Sequence, residues 1–413
     1  MSPNKFPKVY ILLEPFNDYT GMGVTMTNLF KDWPQDRIAI AANQLDVELC
    51  ERIRPCHSYL ALSTPSSGKE TSVVSKQSKF QAIKVRIRRS LKNVYLKAGG
   101  SDLKRLPVDV KLLRAIDDFH PDIIFTALGS LDRIRFVEKI MDKTPYAKLA
   151  VYIVDDWPNT KQNGRWFPAF WRKKYDNALR KLLSRSTYRL SICLAMSDSY
   201  LKQYGLTFVP FHNPVDVRNW QSVKSLRRYD RDTFSIVYVG KINRDTKTTI
   251  CNLASVVTDM NSVGGKVRFD VYSPNASDID TSKYIGFTIR TSVPNSTIPA
   301  LLKSYDCLFL TLGFSKISRA YTRLSMPTKL TEYLGSGVPI LLNAPTEIAV
   351  TKYARENDVA LICDSENKEE LENKMKTLIE DSALRERIAA NALGLAEQHD
   401  VNIVREQFRK ALI

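Results

Sequence analysis

Four short stretches of the chain combine residue types that handle charged or hydroxyl-rich ligands. In the first, Tyr19-Thr20-Gly21-Met22-Gly23 leaves an apolar run and enters a helical pattern at Val24. Glycines let a backbone approach a ligand closely, and the free N–H groups of a helix start attract anions. The stretch fits a loop facing a phosphate or sugar, and it also fits a tight turn. In the second, Asp155 and Asp156 stand directly after the apolar run 149–154. Residues just past the carboxyl end of a buried strand meet ligands in open α/β sheets. Either acid suits a general base or an acceptor of hydroxyl hydrogen bonds. The pair also suits a helix cap and turn before Pro158. In the third, Gly240 ends a strand-like run and three cations follow, Lys241, Arg244 and Lys247. Two of them at one loop mouth would clamp a diphosphate, and a solvated basic turn is the alternative. In the fourth, Pro327, Thr328, Lys329 and Glu332 open a helical pattern closed by Gly335 and Gly337. Pro327 suits a helix start, whose N–H groups favour phosphate. Glu332 is placed to accept from two vicinal hydroxyls, as ribose presents, or to form a surface salt bridge.

Each stretch leaves an apolar run that reads as a strand. One series of such runs lies at 9–13, 38–42, 123–128, 149–154, 191–196 and 208–211. A second lies at 235–240, 267–272, 284–289, 307–311, 339–342 and 359–363. They are β-branched or continuously apolar, as strands buried on both faces are, and helical patterns separate most of them. Two strand–helix series predict an α/β chain with two doubly wound parallel sheets. The expected division is 1–215, a linker at 216–232, a second unit at 233–398, and a closing segment at 399–413. The tract 63–78, rich in Ser, Thr, Lys and Gly, reads as a loop.

The chain has 413 residues with 61 Lys and Arg against 44 Asp and Glu, a net charge of +17. The excess is uneven. Through Asp230 there are 38 basic and 22 acidic residues; from Arg231 on there are 23 and 22. The first half therefore carries the attraction for anionic partners. No two of the six cysteines have C-x-x-C spacing, and several sit in apolar runs, which reads as reduced thiols in a cytoplasmic protein. No apolar signal core opens the chain and no run is long enough to span a bilayer.

In this order the four stretches resemble glycosyltransferases of the GT-B fold, close to family 4. Residues 237–247 resemble that family's strand followed by a basic pair, and 329–339 resemble its donor helix. Asn213-Pro214-Val215-Asp216 resembles the segment closing the first domain, Tyr305-Asp306 a second-domain strand, and 382–412 the closing helices. The resemblance implies two Rossmann-like domains facing a central cleft and transfer of a sugar, with retention, from a UDP-, GDP- or dTDP-sugar to a hydroxyl. It implies no permanently bound cofactor and no metal. Lys241 and Lys247 match the pair on the donor diphosphate, with Arg244 a rival to either. Glu332 matches the ribose-binding Glu, and Gly21 and Gly23 the glycine-rich loop. Asp155 or Asp156 falls where many members carry His or Asp near the transferred sugar. The sequence departs from the family at Leu324, where a first Glu would stand, which keeps a non-catalytic subunit open. A nucleotide-sugar epimerase and, more distantly, a nucleic-acid-binding protein are the other readings.

Two basic tracts remain in the first half. Residues 71–101 carry Lys76, Lys79, Lys84, Arg86, Arg88, Arg89, Lys92 and Lys97 with apolar residues at helical spacing. Residues 165–189 mix Trp166, Phe167, Phe170, Trp171 and Tyr175 with Arg172, Lys173, Lys174, Arg180, Lys181 and Arg185. Both suit an anionic membrane surface, where the acceptor would be a glycan, glycolipid or other hydroxyl compound. The alternative places these aromatics in the core and the charges in solvent.

Overall fold

The computed structural model describes residues 6–62, 91–103, 105–225, 232–275 and 279–413. The expected loop at 63–78 and the larger part of the expected basic helix, 71–90, lie outside the described residues.

Strands β1 (Val9–Leu12), β2 (Ile38–Asn43), β3 (Ser58–Leu62), β4 (Ile123–Ala127), β5 (Lys148–Ile153), β6 (Tyr188–Ser191) and β7 (Val209–Pro210) form one sheet, ordered β3-β2-β1-β4-β5-β6-β7. Strands β8 (Phe234–Val239), β9 (Val267–Tyr272), β10 (Phe287–Arg290), β11 (Cys307–Thr311), β12 (Ile340–Asn343) and β13 (Leu361–Cys363) form another, ordered β10-β9-β8-β11-β12-β13. The pairings are parallel, for example Val9 with Ile38 and Ile123, and Ile236 with Phe269 and Cys307. Helices cover both faces of such sheets, so the central strands are buried throughout, β1 and β11 at every residue.

The order of each sheet fixes where a ligand fits. In the first sheet the winding reverses between β1 and β4, and in the second between β8 and β11. Loops leaving the two strands at a reversal part in opposite directions and open a crevice at the strands' carboxyl ends. Residues 13–20 and 128–130 leave the first reversal; residues 240–243 and 312–315 leave the second.

Helices α1 (Gly21–Phe30), α3 (Arg244–Ser262), α4 (Lys316–Thr322) and α5 (Thr328–Ser336) border these crevices, while α2 (Pro168–Arg185) packs into the core of the first half and α6 (Val401–Ala411) packs on α1. Helix α3 starts where the Asn243 side chain accepts from the Asp245 and Thr246 amides at 2.9 and 2.8 Å, while the Asn243 amide donates back to Thr246 Oγ1. The chain passes between the sheets twice at one place: the Val215 amide donates to the His399 carbonyl, and the Val401 amide to the Val215 carbonyl, both at 2.9 Å. Helix α6 then lies on α1, with Phe408 edge-on to Phe30 at 5.1 Å and Arg405 bound to Asp32 at 2.7 Å.

Some elements differ from expectation. The run 191–196 is not a strand: β6 ends at Ser191 and a helix runs from Leu194 to Tyr204. A short apolar run is compatible with either element, and here the pairing partner, β7, ends beside Ser191. Edge strand β3 was not expected, although Tyr59–Leu62 is an apolar run; it lies at the sheet edge and is exposed or partly exposed along its length. On α2, Trp171 and Tyr175 are core residues, so the interfacial reading fails for them, while Trp166, Phe167 and Phe170 are exposed. All six cysteines are free thiols.

Candidate functional site

A cavity of about 490 Å³ lies at the reversal between β8 and β11. Asn243, Asp245 and Thr246 line it from the start of α3, and Leu312 and Gly313 from the end of β11. Pro327 and Thr328 line it from the start of α5, while Gly21 and Met22 reach it from α1 of the other half. The first residues of three helices thus face one space, each turning the positive end of a helix dipole toward it, although the Asp245 and Thr246 amides of α3 are already taken up by Asn243. The halves meet closely there. A Cβ on Gly21 would stand 2.9 Å from Thr328 Oγ1. The loop before α1 is held by Asn17, whose Oδ1 accepts from the Thr20 amide at 2.8 Å and the Thr20 hydroxyl at 2.9 Å. Gly23 lies directly under the Asn17 side chain, so it serves the loop's packing and not the cavity wall. Gly21→Val is expected to wedge the halves apart at about 1–3 kcal/mol of overpacking and to weaken nucleotide binding. Calorimetric titration with UDP, beside a melting curve, measures both effects.

A second cavity, about 700 Å³, lies at the reversal between β1 and β4. Its lining includes Glu14, Thr20, Ser130, Arg133, Thr160 and Lys161. Glu14 is buried and accepts from Arg133 Nη1 at 2.7 Å and from the Ala127 amide at 3.0 Å. Burial pushes its carboxyl up to about 7, against the pull of Arg133. The two cavities share Met22, Val154, Asp155 and Tyr321 as wall.

Asp155 and Asp156 point to different tasks. Asp155 stands at the junction of the cavities, with Tyr321 and Ser325 beside it on the wall of the first. Burial raises its pKa, and the neighbouring Tyr321 and Ser325 hydroxyls oppose the rise. Asp156 is fully buried and lines neither cavity. It accepts from Arg323 Nη2 at 2.8 Å, Asn159 Nδ2 at 2.8 Å and Tyr200 at 3.1 Å. Its partners are therefore structural, and Arg323 joins it to the opposite half.

The donor-type residues of the second half gather at the end of β8. Lys329 Nζ donates to Tyr238 Oη at 3.0 Å and sits 4.1 Å from the ring centroid. The Tyr238 hydroxyl in turn donates to the Lys241 carbonyl at 2.8 Å. Gly240 has φ +141°, a backbone conformation that favours glycine, and a Cβ there would push aside the Lys329 ammonium. Glu332 lies one turn beyond Lys329 on α5. Burial raises its carboxyl to about 7, with Lys329 pulling the other way. Asn275 clamps the loop by accepting from the Ile242 amide at 3.0 Å and donating to its carbonyl.

Of the expected residues, the structure places Gly21, Met22, Asp155, Pro327 and Thr328 on the first cavity. Gly240, Lys241, Lys329 and Glu332 form a neighbouring group that does not line it. Lys241 and Arg244 are exposed, and Lys247 is partly buried one turn into α3. Leu324 is buried in the core of the first half, where its carbonyl accepts from Cys193 Sγ at 3.3 Å. Tyr321, Arg323, Ser325, Glu14 and Arg133 were not foreseen; only the strand-end position of Glu14 carried a signal. Among the described residues, no three His, Cys, Asp or Glu gather to hold a metal ion, and no helix is long and apolar enough to cross a membrane.

No family model matches the chain, and no curated protein matches its sequence. Solved structures do match in shape. The Anabaena protein Alr3699/HepE, solved with UDP-glucose, superposes with a TM-score of 0.63 at 14% identity over 98% of this chain and 99% of its own. The chain has the GT-B fold. A UDP-forming α,α-trehalose-phosphate synthase from Burkholderia xenovorans gives 0.59 at 12% identity over 98% of both chains. A candidate UDP-N-acetylglucosamine 2-epimerase from Listeria monocytogenes gives 0.54 at 10% identity, over 97% of this chain and 94% of its own. At these identities the likeness is one of fold. It relates the two sheets and the cleft of this chain to a shared architecture.

Proposed function

We propose that this protein is a family 4-like, retaining glycosyltransferase that moves a hexose from a nucleotide-sugar to a hydroxyl acceptor in the synthesis of a cell-surface polysaccharide or glycoconjugate. One observation carries the reading: the starts of α1, α3 and α5 meet at a single cavity, and Asp155 joins that cavity to a second. In this reading the units are 1–215 and 233–398, linked by 216–232, with 399–413 returning to the first. The donor diphosphate lies at the helix starts, with Lys241 and Lys247 supporting it and Arg244 in reserve. Negative charge growing on the departing diphosphate is met by dipoles and cations already in place, which lowers the barrier without reorganisation. Glu332 holds the ribose. The acceptor occupies the second cavity, and Asp155 accepts a hydrogen bond from a sugar hydroxyl where the two substrates meet. No metal or resident cofactor is assigned to this step.

UDP-glucose, the ligand solved with the Anabaena protein, is the first donor to try. Calorimetric binding of UDP and UDP-glucose, then product analysis with glucose as probe acceptor, tests the reading. Retention is read from the anomeric configuration of the product by NMR. Asp155→Asn is expected to keep UDP affinity and lower transfer at least about tenfold, the effect of losing a charged hydrogen bond. No binding of any nucleoside diphosphate overturns the proposal. The likeness to the Listeria protein supports a second reading, epimerisation of the donor sugar. A changed sugar released without any acceptor present selects it.

A further inference from the structure

We infer that the exposed aromatic and basic face formed by residues 91–97 and 166–174 docks this protein on an anionic lipid surface. The face has two strips. In the first, Leu91, Val94, Tyr95 and Leu96 are exposed; in the second, Trp166, Phe167 and Phe170, with Phe167 at 78%. The strips are joined. The Trp166 amide donates to the Lys97 carbonyl at 2.8 Å, and Gly99 lies so close under the Trp171 ring that no Cβ would fit.

The face stands on a rigid base. Asp102 is fully buried and collects Lys161 at 3.0 Å, the Tyr175 hydroxyl at 2.8 Å, the Leu131 amide at 3.2 Å and Arg165. Helix α2 turns Trp171, Tyr175, Leu179, Leu182 and Leu183 into the core. Phe167 and Phe170 are thus not left out for want of a core. Phe167 also holds φ at 55°, a left-handed backbone that is costly for a bulky residue, immediately before the helix begins.

The charge carried by the two segments themselves has one sign, and the flanking acids Asp102 and Asp176 are both paired with cations. Lys92, Lys97, Arg172 and Lys173 are exposed, and Lys174 lies 5.4 Å from the Phe170 ring. No acidic residue occurs in 91–101 or in 157–175. Aromatics that bury a ring at headgroup depth, ringed by cations that meet lipid phosphates, complement an anionic bilayer. A water-soluble partner would need an acidic surface with pockets for three projecting rings.

The face adjoins the second cavity. Lys161, which binds Asp102, also donates to the Gly129 carbonyl at 3.2 Å, and both residues line that cavity. Docking would hold the cavity beside the headgroup layer, so the acceptor is a membrane-held hydroxyl compound. This last step rests on the proposed transferase reading; the docking itself does not.

Flotation of the full-length protein with vesicles of phosphatidylcholine alone, and with added phosphatidylglycerol, tests the docking. The protein is expected to float with the anionic vesicles only, and less so as salt is raised. The variant Trp166→Ser, Phe167→Asn, Phe170→Ser changes exposed residues and relieves the left-handed backbone at 167. It is expected to bind the anionic vesicles at least about tenfold more weakly, with its melting temperature and UDP-glucose affinity kept. Failure of the unaltered protein to float with anionic vesicles overturns docking and leaves an acidic macromolecule as the occupant. Unchanged flotation of the triple variant overturns the face named here. A wild-type protein that floats but binds no nucleotide refutes the transferase reading and leaves docking standing.

Discussion

Glu332→Ala is expected to lower turnover with UDP-glucose by about 10²- to 10⁴-fold, because a carboxylate accepting from two ribose hydroxyls forms two charge-assisted bonds of about 1.5–3 kcal/mol each. The same residue predicts a pH dependence. Its carboxyl rises to about 7 in the empty site because it is buried, and Lys329 only partly reverses the rise. The ribose is held by the ionised form, so binding must first remove a proton below that pH. UDP affinity should therefore fall by about tenfold for each pH unit below about 7 and level off above it. Glu332→Gln should flatten this profile. Stability moves the other way. A carboxyl whose folded pKa is raised makes its full contribution below the unfolded value of 4.5 and loses it as pH rises through about 7. Above neutrality the Ala variant should thus melt no lower than the unaltered protein, which separates lost binding from lost folding. Wild-type kinetics in the Ala variant, or an unchanged pH slope in the Gln variant, removes Glu332 from the site.

The grouping of Gly240, Lys241, Lys329 and Glu332 could be set out from the sequence because its parts are local. Gly240-Lys241 leaves β8, Pro327 starts α5, and Lys329 and Glu332 are one turn apart, so strand and helix periods alone bring each set together. The sheets were legible for a similar reason: strands such as β1 and β11 are buried on both faces and read as unbroken apolar runs. Edge strand β3 also contains an apolar run, 59–62, but it is short and partly exposed, and it was not foreseen. The junction of the two cavities was not legible. Tyr321 and Ser325 share the first cavity's wall with Asp155 from more than 160 positions away, and neither residue type nor spacing marks them. The adjacent acids also could not be ranked. Past a strand end, successive side chains leave on different sides. Only the fold shows that Asp155 turns to the cavities while Asp156 turns to Asn159, Tyr200 and Arg323.

That turn of Asp156 leads to the second large effect. Arg323→Ala is expected to destabilise the protein by about 1–3 kcal/mol and to lower its melting temperature by several degrees. Asp156 is fully buried, so losing its cation strands a carboxylate away from water; breaking one side of such a pair costs about 3–5 kcal/mol when both partners are buried. Arg323 is 45% exposed, and solvent screening reduces the effect. The pair is not a stabiliser in its own right. Burial already raises the Asp156 pKa despite the Arg323 contact, so desolvation outweighs the attraction. Removing Arg323 raises that pKa further. An acid with a raised folded pKa loses stability as pH rises through it, so the gap between variant and wild type should widen with pH and narrow in acid. Asp156→Asn combined with Arg323→Ala should recover part of the loss, because the neutral amide keeps partners in Asn159 and Tyr200 without a buried charge. Melting curves of the wild type and both variants across pH measure this. The pair is also one of the contacts between the halves, since Asp156 follows β5 and Arg323 follows α4. The single variant should therefore expose the cleft to protease more readily, and bound UDP should protect it by favouring the closed arrangement. Equal melting and equal cleavage in variant and wild type would mean that the contact holds nothing together.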